Sequence, residues 1–349
     1  MYPEFILTDK GILDLIARGE LIISSNISQD QIQPASLDLR ISQAKVYDKY
    51  SKTKNQLEYN ERLEELIRQR NFSRLDSLIE EIEKNATTYK DTNIIIPANT
   101  QYEASMKEKI NLESKYQTSF ELRSSRGRAL LRPSTIFFES GKVIGKNDNI
   151  NDIEIEKHSK FLQIFIHPKT QGKNTGKLVR SKKRIRELMP NFPSYLIDDN
   201  GDIYFGIKEA LRFNKIKGTY LLGKNYERLT QKQEFLNGMI TLREQTPYIL
   251  GLYPEVETKG VVGIRLHHKS PSQQVFANRV VCAGWADPGY QGIVTAHYKG
   301  LLNKMVRENE PVVRASVYEF DEGSILNQYG SKQLKSHYKG VEGATTSRS

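Results

Sequence analysis

The chain has 349 residues, a formal net charge of +10 and a pI near 9.3, a balance that favours polyanions, either nucleotide phosphates or nucleic acid. Its length predicts two domains of ordinary size, and a hydrophobic fraction of 38% suffices for their cores. The single cysteine, Cys282, excludes a disulfide framework; with no apolar run of about 18 residues and no basic-then-apolar leader after Met1, the expectation is a cytoplasmic protein without a membrane partner.

In chain order, Thr8 to Gly19 places Ile12, Leu13, Leu15 and Ile16 at helical spacing with Thr8 as N-cap, which predicts a helix. Leu57 to Ile82 carries Leu63, Leu66 and Ile67, then Leu75, Leu78, Ile79 and Ile82, on helical faces separated by residues 71–74, the pattern of a helical hairpin. From Asn93 the period shortens to β runs, first NIIIPANTQYEAS and later Met239 to Tyr253, VVGIRLHH, RVVCAGW, GIVTAHY and VRASVYEF. Between them stands the densest chemistry in the chain, Arg123-Ser124-Ser125-Arg126-Gly127-Arg128. Guanidinium forks, hydroxyls and backbone N–H groups around a glycine can hold phosphate oxygens and position a water; the plainer reading is an exposed basic turn. A second basic run, Lys173, Lys177, Arg180, Lys182, Lys183, Arg184 and Arg186, reads as a solvated face or as a contact surface for phosphate or nucleic acid.

The chain also repeats itself. Ile94 to Tyr102 has a counterpart in Ile240 to Tyr248, each an apolar strand, a turn and a second strand carrying tyrosine, which implies duplicated domains.

The RSSxGR run, the N-terminal stretches LTDKGILDLIARGELIISS and QIQPASLDLRIS, the WADPGYQG segment (Trp285 to Gly292) and the tail from Tyr338 to Arg348 resemble, in family order, the motifs of the dCTP deaminase and dUTPase superfamily. The length and the repeat resemble its long tandem form. That resemblance implies an all-β fold of two jelly-roll-like (dUTPase-like) domains: 1–190 with a helical insertion at about 52–90, a connecting segment 191–224, and 225–349 with the C-terminal tail. It also implies conversion of dCTP to dUTP and ammonia, a deoxynucleoside triphosphate as substrate with Mg2+ as its companion, and a homo-oligomer. Ser36, Asp38 and Arg40 are read as holding the first strand.

The resemblance assigns catalytic roles to Ser124, Arg128 and Asp287, with substrate binding by Arg123, Ser125, Arg126, Gly127, Tyr338 and Gly340. Zinc-hydroxide deamination needs a Cys pair, so one cysteine excludes zinc. The family's glutamate base falls here on His297, which can serve as a base near neutral pH or be an ordinary strand histidine. The same strand of the first copy is expected to present Phe165, and the second copy's version of RSSRGR is weakened to Lys269 through Gln274. The tail carries His337 and Val341 where single-domain members have lysine and glutamine. Each copy alone is incomplete, and a composite site is expected in which RSSRGR of the first copy faces Asp287 and His297 of the second. An aspartate at the Asp287 position activates water in the dUTPase branch, which leaves a dUTP pyrophosphohydrolase or an inactive nucleotide-binding protein as alternatives.

Overall fold

The computed structural model describes residues 3–47, 86–123, 126–127, 129–137, 141–222, 229–268, 279–282, 284–300, 302–331 and 334. The expected helical hairpin lies outside these residues. Among them the only α-helices are Asp9–Ala17 and Lys182–Leu188, and apart from two short 3-10 turns, Gln29–Gln31 and Ser194–Leu196, strands make up the rest of the regular structure. The expected all-β architecture is the one observed.

Helix Asp9–Ala17 starts where the sequence places it, with the Thr8 hydroxyl accepting from the Gly11 amide at 3.3 Å and with Ile12 and Leu15 buried. It leads into the first sheet, whose axis is Ser36–Val46. That strand runs antiparallel to Lys160–Pro168 over its first half and to Gln101–Met106 over its second, changing partners at a bulge between Ile41 and Gln43. Lys142–Asn147 and Leu131–Phe137 continue the sheet beyond Gln101–Met106, and Tyr116–Leu122 closes it beside Lys160–Pro168. Period-2 burial fixes the register: Tyr102, Ala104 and Met106 point inward while their neighbours do not.

The second sheet repeats this plan. Its axis is Asp202–Phe213, paired with Pro311–Phe320 at one end and with Pro247–Tyr253 at the other, again with a register shift between Ile207 and Glu209. Thr295–Lys299 and Arg279–Cys282 follow Pro247–Tyr253, and Val262–His268 flanks Pro311–Phe320. Aligning the two pairing patterns at their bulges sets Tyr102 against Tyr248. The stretch expected to connect the copies, 191–224, instead supplies Asp202–Phe213 to the middle of this sheet. It was hidden because its inward residues do not alternate cleanly and charged Lys208, Glu209 and Arg212 interrupt them.

The halves share structure. Phe5–Leu7 pairs with Thr175–Leu178, which pairs with Pro311–Phe320, so segments from both ends of the first half complete an edge of the second sheet. A cluster of Ile6, Ala35, Phe165, Leu178, Trp285, Tyr318 and Phe320 fills the space between the two main cores. The basic run lies on Thr175–Leu178 and helix Lys182–Leu188, where Lys173, Lys177, Arg180, Lys183, Arg184 and Arg186 are exposed and Arg184 pairs with Glu187 and Glu319. No helix among the described residues is long and apolar enough to cross a membrane.

Candidate active site

Strand Tyr116–Leu122 ends where the basic run begins. The Arg123 amide donates to Phe161 O at 3.0 Å, the last tie to the sheet, and the Arg126 and Gly127 amides then both donate to Arg123 O at 2.8 and 3.0 Å. The chain therefore makes one helical turn, held down by Ala129 and Leu130, both buried in the first core. This is no solvated loop: Arg126 is itself buried, and Arg123 points inward to Asp38, its Nη1 2.5 Å from Oδ2. Asp38 comes from the sheet axis and is fully buried; Lys160 Nζ stands 3.9 Å from the same oxygen and 2.7 Å from Asp30. Burial raises the Asp38 carboxyl above its usual range, against the pull of Arg123 and Lys160. Ser36 and Arg40 hold the strand as expected, through Gln163 and Glu108. Asp38 does more than that, because it orients the arginine.

The opposite wall comes from the second half. Asp287-Pro288-Gly289-Tyr290 is a β-turn closed by the Tyr290 amide on Asp287 O at 2.9 Å, and Gly289 takes φ +91°, the left-handed value that such a turn reserves for glycine. The Thr258 hydroxyl donates to Asp287 O at 3.0 Å, and Trp285 Nε1 donates to Asp287 Oδ1 at 2.9 Å. The carboxyl is thus aimed rather than free. Burial pushes its pKa up to about 7; Arg123 pulls the other way, while Asp38 and Asp9 add to the rise. Asp287 and Tyr329 in turn help keep Arg123 charged despite its burial, after Asp38, its main partner.

His297 lies on Thr295–Lys299 and is fully buried. A Cβ added to Gly127 would stand 3.2 Å from its Cε1 and 3.5 Å from its Nδ1, so the basic turn of one half rests directly against the histidine of the other and a side chain there would have to push it back. A second bridge between the halves, Arg265 Nε to Glu121 Oε1 at 3.4 Å, lies two residues before Arg123. Among the described residues, no group of three or more His, Cys, Asp or Glu side chains is arranged to hold a metal ion.

The structure therefore brings Arg123 of the first half to Asp287 of the second and Gly127 to His297, with Arg126 buried in the same turn. Ser124, Ser125, Arg128, Tyr338, Gly340 and Lys269 to Gln274 lie outside the described residues. One assignment changes: in the pairing register the first-half partner of His297 is Ile144, since Ile144 faces Glu103 as His297 faces Ile249. Phe165 belongs to the cluster between the halves, 5.5 Å from the Trp285 ring. Sequence reasoning missed Asp9, Lys160 and the tie between Trp285 and Asp287. Only the LTD and SLDLR segments hinted at the acids.

A dCTP deaminase-like family model matches residues 6–167. These residues are similar to a dCTP deaminase-like domain, and the chain shares its fold with a solved deaminase. The crystal structure of 2'-deoxycytidine 5'-triphosphate deaminase from Agrobacterium tumefaciens superposes with a TM-score of 0.67 over 91% of this chain and 100% of that one, at 17% identity. No curated protein sequence matches the chain.

Proposed function

We propose that this protein is a hydrolase that converts dCTP and water to dUTP and ammonia at one composite site per chain. The observation that carries the reading is the seating of the first half's Arg123–Gly127 turn on the second half's His297, beside Asp287. In family order these motifs are far apart in sequence, and a merely inherited scaffold has no need to keep the two surviving halves of a site in contact. Deamination requires a water delivered to C4 of the ring, a group that takes its proton and returns it to the departing ammonia, and donors for the charge of the tetrahedral adduct. In this assignment His297 carries the proton, while Arg128 and Ser124 stabilise the adduct. Arg123, Ser125, Arg126 and Gly127 take the phosphates, to which Mg2+ comes bound, and Tyr338 and Gly340 close over the nucleotide.

One observation favours a second reading. His297 and Asp287 are both buried, and Asp287 keeps both its DPG turn and a carboxyl that burial pushes up to about 7. An ionised Asp287 that activates water against a phosphorus atom would make the protein a dUTP pyrophosphohydrolase. Incubation with dCTP and with dUTP, each with magnesium, separates the readings. Ammonia and dUTP from dCTP support deamination, dUMP and pyrophosphate from dUTP support the second reading, and tight binding without product makes the chain a nucleotide-binding protein.

A further inference from the structure

Beyond the last strand, residues 321–331 lie across the molecule from the N-terminal helix to the DPG turn. The strap is fastened at both ends. Lys10 Nζ donates to Gly323 O at 2.6 Å; the Leu326 amide donates to both Asp9 oxygens at 2.9 and 3.0 Å, and the Asn327 amide to Oδ2 at 2.8 Å. At the far end the Tyr329 amide donates to Pro288 O at 2.9 Å, and the Tyr329 ring lies 5.5 Å from that of Tyr290, the closing residue of the turn. The backbone of Tyr329 lies against Gly289 so closely that a side chain there would meet it at 3.2 Å.

Asp9 is fully buried, and a buried carboxylate is costly unless several donors face it. Helix capping does not account for it, since Thr8 already caps this helix. Two of the three residues whose amides it accepts from belong to the strap, and their sequence separation from Asp9 exceeds 300 residues, at 317 and 318. We propose that Asp9 is a positioning residue for the nucleotide site: its carboxylate holds the 321–331 strap, and the strap holds the Pro288–Gly289 turn that aims Asp287. This rests on the reading of that turn as part of a nucleotide site.

The experiment compares Asp9→Asn with Asp14→Asn, an equal charge change on the same helix, by steady-state kinetics with dCTP. Asp9→Asn is expected to raise KM about tenfold or more while kcat stays within about threefold, and Asp14→Asn to leave both unchanged. A folded Asp9→Asn protein with wild-type KM overturns the assignment, as does an equal rise in KM from Asp14→Asn. Should Asp9→Asn fail to fold, Tyr329→Leu, which loosens the other end of the strap, must reproduce the rise in KM, and an unchanged KM there is equally fatal. If the wild type neither binds nor turns over a deoxynucleotide, the nucleotide reading falls on its own. The Asp9 assignment is then judged by the emission of the single tryptophan, Trp285, whose Nε1 donates to Asp287. A shifted emission maximum in Asp9→Asn sustains the positioning role, and an identical one refutes it.

Discussion

The two halves share a strand plan and differ where chemistry would sit. In the common register Asp38 becomes Tyr204, Glu121 becomes His267 and His297 becomes Ile144. The residue after each flanking strand is Arg123 in the first half and Lys269 in the second. The hairpin between corresponding strands is the long 283–294 segment with its DPG turn in the second half, but only 138–141 in the first. The two halves thus present different side chains to the seam between them, while the corresponding Tyr102 and Tyr248 are both fully buried in their own cores.

The largest test of this asymmetry is Arg123→Ala against Lys269→Ala. Removing Arg123 leaves Asp38 buried without its main partner, so nucleotide turnover should fall about a thousandfold and stability by roughly 3 kcal/mol in a denaturant titration. Lys269→Ala should change stability by no more than about 0.5 kcal/mol and leave turnover intact. Equal effects would mean that the second half keeps a working site of its own.

His297→Ala should lower kcat about 100- to 10,000-fold, as expected for a lost proton carrier, while truncation of its counterpart Ile144 to alanine leaves the rate unaltered. Wild-type activity should also decline on the acid side, because a protonated imidazole cannot accept a proton. Full activity in His297→Ala would move the base elsewhere, and ammonia release gained only in His297→Glu would mark the wild type as a binding protein.

Asp287→Asn sharpens the contrast from the side of stability. The carboxyl titrates near 7 in the fold and near 3.8 unfolded, so the wild type is favoured by the neutral form at low pH and loses that advantage as pH rises through about 7. The asparagine variant has no such loss. It should match the wild type near pH 4 and exceed it above pH 7, by on the order of 2 to 4 kcal/mol, while losing activity. A constant offset across that range would show that Asp287 does not titrate as a buried acid.

The smallest effect separates His167 from its counterpart Tyr318. Both donate to the N-terminal segment, His167 Nδ1 to Phe5 O at 2.9 Å and the Tyr318 hydroxyl to Pro3 O at 2.8 Å. Burial lowers the His167 pKa to about 4, so the unfolded chain takes up a proton that the fold refuses, and the stability present above pH 6.5 drains away as pH falls toward 4. His167→Gln should flatten this acid slope in thermal melts, whereas Tyr318→Phe should leave it unchanged.

What was legible in the sequence was local. The apolar strands with their tyrosines, RSSRGR and DPG are each contiguous, so periodicity sufficed for the β fold and motif pointed to Arg123, Gly127, Asp287 and His297, which the fold brings close. The strand Asp202–Phe213 was not, because charges break its alternation and its burial depends on partners on both sides. Phe165 was assigned in place of Ile144 because the apolar run Phe161 to Thr170 read as the first copy's late strand, whereas it pairs with Ser36–Val46 and Tyr116–Leu122 on the other side of the sheet axis. Asp9 and Asp38 act through partners far along the chain, Leu326 and Arg123, and no local pattern announces such pairings.

The edge formed by Phe5–Leu7, Thr175–Leu178 and Pro311–Phe320 also sets a timetable. Synthesis proceeds from the N-terminus, so the first half emerges while the strand that completes this edge, and the strap after it, are still untranslated. Thr175–Leu178 and Asp9 must wait for partners close to the end of the chain, and the Arg123 turn must wait for Asp287. A nascent or C-terminally truncated chain that lacks Pro311–Phe320 and the strap leaves this edge unpaired and Asp9 without two of its donors, so the two halves lock together only late in synthesis.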